Sequence, residues 1–150
     1  GPEQGMLNGA IFYDYYETKD GRYFSVGSLE PQFMTGLAAA LELPILMAKG
    51  SSFDPEDRQA IKQALKEKFR SKDFAEWQSI FSQLDICVEP VLSLDEALTS
   101  PIAKQRGWVV DVPLSENADQ TEPQLACPIK FSRSQMRYQF IGQGLGQGKW

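Results

Sequence analysis

The chain contains no histidine. That removes the commonest general base and the commonest metal ligand from these residues. A Ser-His-Asp or Cys-His device cannot be assembled from them. Cysteine is scarce too: Cys87 and Cys127 are the only two. They are too few for a disulfide scaffold, and without histidine they make no zinc ligand set, so no metal is expected. Both are expected as reduced, buried small side chains, because neither has a cluster of cations beside it in sequence to depress a thiol pKa. No apolar run approaches the ~20 residues that span a bilayer, and no signal peptide is expected. Cations are outnumbered, 15 Lys and Arg against 20 Asp and Glu, for a net charge of −5. That argues against nucleic acid and anionic membranes as partners and sits poorly with an isolated polyphosphate site.

What is present describes a globular chain: 150 residues, 42% hydrophobic and 23% charged. This suits one ordinary domain in a cytoplasmic setting, with enough surface to bury a core. Gly1-Pro2 reads as the scar of a protease cleavage. No initiator Met stands in front, so further sequence is expected upstream, and residues 1–10 are expected to be scar and linker.

Residues 12–33, FYDYYETKDGRYFSVGSLEPQF, organise the rest. Two aromatic runs, 12–16 and 22–26, flank Lys19-Asp20-Gly21. An Asp-Gly pair between β-prone runs predicts a hairpin, because Gly accepts the positive φ of a tight turn. Period two places Phe12, Asp14 and Tyr16 on one face and Tyr13, Tyr15 and Glu17 on the other. One face is expected to be core and the other to touch a second surface. Pro31 fits the first turn of a helix, where its missing N–H costs nothing. That helix is expected over residues 30–43, with a stripe of Phe33, Leu37, Ala40 and Leu41. Glu30 then sits at the mouth of a strand-to-helix turn, a common place for a functional side chain.

Pro44 ends this helix, and residues 45–52 are expected as a loop. Asp54-Pro55 starts the next helix, buried through Ile61, Leu65 and Phe69. Lys62, Lys66, Lys68 and Arg70 suit its C-terminal dipole and are expected as a solvated face. Asp73 caps a third helix whose Trp77, Ile80, Phe81 and Leu84 read as core. Residues 86–88 are expected as a short buried strand stopped by Pro90. Two short helices follow, from Leu94 and from Pro101, broken at Gly107. Residues 108–112 are expected as a central strand, 115–124 as a mobile loop and 126–131 as a last strand. Residues 142–148 are Gly-rich, but their spacing is wrong for a dinucleotide loop, so a flexible tail is expected. Together these elements predict an α+β class, a β-hairpin and short strands packed with several helices, as one domain over 11–112 with a loop and tail over 113–150.

No complete catalytic set appears. Glu30 is the best single candidate, since backbone N–H groups at a helix start stabilise a carboxylate. Its simplest alternative role is a helix cap.

The stretch FYDYYETKDGRYFSVGSLEPQF resembles the signature of α-methylacyl-CoA racemases, in the family III CoA-transferase (CaiB/BaiF) superfamily. A second block at residues 87–98, CVEPVLSLDEAL, resembles the downstream signature of the same racemases. Met6-Leu7-Asn8-Gly9 resembles the family's Met-Leu-Asp-Gly-Gly, one residue shorter. The resemblance implies the smaller domain of that fold and α-proton exchange on a 2-methylacyl-CoA thioester, with two bases, a His and an Asp, that lie in a large domain outside this chain. Glu30 would support the catalytic His, and Tyr13 and Leu29 would line the acyl side of the pocket. No separate cofactor is implied: CoA belongs to the substrate and would bind mainly the large domain. An interlocked homodimer is implied as well. A family III CoA-transferase and a non-catalytic interaction domain remain as alternatives.

Overall fold

The computed structural model describes residues 10–142. The chain forms two units, Gly1–Val91 and Leu92–Trp150. The border expected after residue 112 lies twenty-one residues further along.

In the first unit, β1 (Asp14–Glu17) and β2 (Tyr23–Val26) form the predicted hairpin, Asp14 facing Val26 and Glu17 facing Tyr23. Gly21 takes φ 77° in the turn, as the Asp-Gly signal requires. A third strand, β3 (Val88–Pro90), pairs antiparallel with β2. It starts two residues later than expected and includes Pro90, which an edge strand tolerates because its outer side needs no N–H donor. Between β2 and β3 run α1 (Pro31–Ala40), α2 (Ile45–Lys49), α3 (Pro55–Phe69) and α4 (Phe74–Phe81).

The sheet's inner face supplies Tyr16, Phe24, Val26 and Val88 to a core completed by Leu37 and Leu41, by Ile61, Leu65 and Phe69, and by Trp77 and Phe81. Aromatic rings dominate it. Tyr16 stacks on Phe69 at 5.0 Å between centroids, and Trp77 on Phe81 at 5.2 Å. The Trp77 indole N–H donates to the Phe69 carbonyl at 2.8 Å, so its one polar atom is satisfied in the interior.

Several local expectations give way to packing. Helix α1 stops at Ala40 because Glu42 turns left-handed, φ 52°, and the chain reverses. Phe33 is half-buried and lies outside the core cluster, while Ala38 and Met34 join Leu37 and Leu41. Residues 45–49 are helical and not loop. Pro44, whose φ of −61° is already helical, does not close α1 but starts α2. Leu84 is 42% exposed because α4 has ended three residues before it. The cationic residues of α3 do more than meet solvent: Lys62 pairs with Asp14, Lys68 with Glu42 and Arg70 with Glu17.

In the second unit, α5 (Leu94–Thr99) is opened by a Ser93–Glu96 capping box, and α6 (Pro101–Arg106) is closed by Gly107 at φ 61°. Among the described residues, strand β4 (Val109–Pro113) pairs only with β5 (Thr121–Leu125), Val109 facing Leu125 and Pro113 facing Thr121. The expected central strand is therefore one arm of a two-stranded ribbon. Residues 121–124 of the expected loop belong to its other arm, and residues 126–131 form no strand. Thr121-Glu122-Pro123-Gln124-Leu125 carries no apolar face because this ribbon buries little: Val112 is its one buried side chain. Met6 and residues 143–148 of the Gly-rich tail lie outside the described residues.

Candidate functional site

The outer face of the three-stranded sheet is exposed at its tyrosines. Tyr13, Tyr15 and Tyr23 are 42%, 64% and 43% exposed. This is the face that alternation assigns to Tyr13 and Tyr15, opposite the buried Phe12 and Tyr16. At one end of it the strands run into the turn toward α1. The Gly27 N–H donates to the Cys87 carbonyl at 2.8 Å, and the buried Ser28 hydroxyl donates to the same oxygen at 3.3 Å. A Cβ at Gly27 would sit 3.9 Å from both the Tyr13 ring and the Cys87 Cβ. Gly27 is thus the floor between a tyrosine and a thiol.

Three residues on, Glu30 occupies the N-cap position of α1 at φ −75°, ψ 143°, with Pro31 behind it. Its carbonyl accepts from the Met34 N–H at 2.9 Å. Its side chain makes no capping bond and is exposed. Its carboxylate is therefore not engaged in capping the helix. Its charge reaches Cys87. Burial first, then the carboxylates of Glu30, Asp85 and Glu89, push that thiol above its ordinary pKa. Leu29 turns the other way and packs, half-buried, against the core.

The structure gathers Tyr13, Gly27, Cys87 and the charge of Glu30, and directs Leu29 inward. Cys87 was expected as a buried hydrophobe, but both cysteines are half-buried. The signal that could have marked Cys87 was its place between Asp85 and Glu89, with the Val26-Gly27 break to receive it. Among the described residues no group of three or more Cys, Asp or Glu side chains is close enough to hold a metal, and no helix is long and apolar enough to cross a membrane. A shallow, open depression of about 410 Å³ lies between α1 and α2 against Ala38, Leu43, Pro44 and Met47. Neither Tyr13 nor Glu30 lines it.

Comparison with known proteins finds a match to the family model described as CoA-transferase family III over residues 1–147. The chain is 38% identical over 110 residues to the human alpha-methylacyl-CoA racemase, covering 69% of this chain and 27% of that protein. It is 40% identical over 101 residues to the mouse racemase, covering 63% and 25%. This chain thus spans about a quarter of the length of those relatives. Among solved structures, a CaiB/BaiF family protein from Brucella suis superposes with a TM-score of 0.67 at 17% identity, over 91% of this chain and 35% of that one.

Proposed function

Because this chain belongs to CoA-transferase family III, we propose that it forms part of an isomerase that epimerises 2-methylacyl-CoA thioesters by exchanging the α-proton. The thioester acidifies the α-carbon, and two bases on opposite faces remove and return the proton through an enolate-like intermediate. This chain has no histidine, so it supplies neither a His base nor its proton and is inactive alone. Its part is to close the site. Glu30 would stand beside a catalytic imidazole, favouring the cation and fixing the ring. Tyr13 and the part of half-buried Leu29 left outside the core would meet the acyl side. CoA would be held mainly by residues outside this chain, with no separate cofactor, in an interlocked cytoplasmic homodimer.

The observation that carries this reading is Glu30: a carboxylate at a helix N-terminus, free of capping duty, in a chain 38% identical to a racemase. The family model's own description keeps a second reading, transfer of CoA between carboxylic acids through an aspartyl intermediate.

Glu30→Gln in the whole enzyme tests the proposal. It keeps the size and removes the charge. Wash-out of an α-deuterium from 2-methylacyl-CoA should slow roughly 10- to 100-fold, the equivalent of ~1.5–3 kcal/mol for a charge-assisted hydrogen bond. CoA affinity and Tm should hold. An unchanged exchange rate would sink the role given to Glu30, and transfer of CoA without exchange would establish the second reading.

A further inference from the structure

We infer that Lys62 is a positioning residue, which latches from α3 the segment that presents Tyr13. The inference deepens the reading above and rests on it for the use made of Tyr13, but the latch itself is visible in the fold. The Lys62 ammonium donates to the Ala10 carbonyl at 3.2 Å and pairs with the Asp14 carboxylate. The Tyr13 N–H donates to that same Ala10 carbonyl at 3.2 Å. One oxygen therefore receives both the latch and the backbone of the residue being positioned. The Tyr16 hydroxyl donates to the Ile11 carbonyl, and the Lys62 ammonium lies 5.0 Å from the Tyr16 ring centroid. Ala10, Ile11, Phe12 and Tyr16 are buried, so these bonds act where water competes weakly.

The placement of Asp14 is what makes this a register device. It lies on the inner face of β1, in line with Tyr16, where an apolar side chain would pack at lower desolvation cost. An ion pair there tolerates one register. A slip by one residue would carry Asp14 outward, away from Lys62, and turn Tyr13 toward the core. Lys62 thus holds Tyr13 on the outer face with its ring over Gly27.

Amide hydrogen exchange on this 150-residue chain tests the latch. Lys62→Met keeps the apolar stem and removes the ammonium. The Tyr13 amide should lose protection by roughly 10- to 100-fold. The Thr18 amide, bonded to the Arg22 carbonyl at 2.7 Å in the hairpin turn, should keep its own. Lys62→Arg, which retains charge and donors, should keep most of the protection at Tyr13. An unchanged Tyr13 amide, or equal loss at Thr18, overturns the latch. In the whole enzyme, Lys62→Met should raise KM for 2-methylacyl-CoA and leave kcat near wild type. If the Tyr13 amide loosens while neither Lys62→Met nor Tyr13→Ala moves KM, the latch stands and the substrate role of Tyr13 falls.

Discussion

Asp20 in the hairpin turn accepts a hydrogen bond from the backbone N–H of Phe74, the first residue of α4, at 3.0 Å. The Thr18 hydroxyl donates to the same carboxylate oxygen at 2.5 Å. The Arg22 guanidinium carbon lies 3.4 Å from the centroid of the Phe74 ring. A turn residue thus satisfies one of the orphan donors of a helix start far along the chain. Glu76 completes that start by accepting from the Asp73 N–H at 2.9 Å.

Asp20→Asn should lower Tm and flatten the acid limb of stability. The Thr18 hydroxyl first, then the Phe74 N–H and Arg22, hold the Asp20 carboxyl below its ordinary pKa. A depressed pKa stabilises the fold above the unfolded value, near ~3.9, and that stability is lost as pH falls through the folded value. Tm measured from about pH 5 to about pH 2 should fall less steeply in Asp20→Asn than in the wild type. Parallel curves would mean the turn does not cap α4.

Cys87 should alkylate slowly, and its rate should rise only at a pH above that of an ordinary thiol. Burial and the charges of Glu30, Asp85 and Glu89 disfavour its thiolate. Glu30→Gln removes one of those charges and should shift the midpoint of the rate–pH profile downward. In a Cys127→Ser background, iodoacetamide labelling gives the profile directly. An unmoved midpoint would separate Glu30 from Cys87.

Two glycines should differ in what they tolerate. A Cβ at Gly50 would meet the Leu46 carbonyl and come within 2.8 Å of the Phe12 ring. Backbone cannot yield, so Gly50→Ala should cost ~2–3 kcal/mol. At Gly36 the added Cβ meets the Ile86 Cγ2 at 2.5 Å, a branch methyl of a half-buried side chain that is moved by a χ1 turn and not by a backbone shift. There the strain is offset in part by a helix-propensity gain of ~1 kcal/mol, and Gly36→Ala should cost ~1 kcal/mol or less. Urea unfolding of both variants checks the order; equal losses would refute it.

Glu42→Gly should stabilise the protein. Glu42 follows α1 at φ 52°, with its N–H bonded to the Ala39 carbonyl and the Leu43 N–H to the Ala38 carbonyl, a reversal that usually uses glycine. Relief of left-handed strain, ~1 kcal/mol, exceeds the worth of its ion pair with Lys68, in which the Glu42 side chain is 84% exposed. The net gain should be about 0.5–1 kcal/mol, and Glu42→Val should lose ~1–2 kcal/mol. A urea midpoint that falls in Glu42→Gly would show the ion pair to outweigh the strain.

What the sequence determined by itself was local and periodic. The Asp20-Gly21 turn, the alternation separating Tyr13 and Tyr15 from Phe12 and Tyr16, the Asp54-Pro55 helix start and the Ile61–Leu65–Phe69 stripe all arise from interactions within a few residues. The family could be recognised for the same reason, since its motif runs along one such stretch. Tertiary structure decided whatever depended on partners distant in sequence. Polar β5 becomes a strand because β4 supplies its hydrogen bonds, and Pro90 can end β3 because that strand lies at an edge. Lys62 and Arg70 become ties because β1 brings Asp14 and Glu17 to them. The candidate site follows the same rule. Glu30 could be picked out from its helix start, but its freedom from capping and the packing of Leu29 against the core are seen only in the folded chain, and the approach of Cys87 to Gly27 depends on β3 closing against β2. Periodicity records which way a side chain faces, and only the folded chain supplies what it faces.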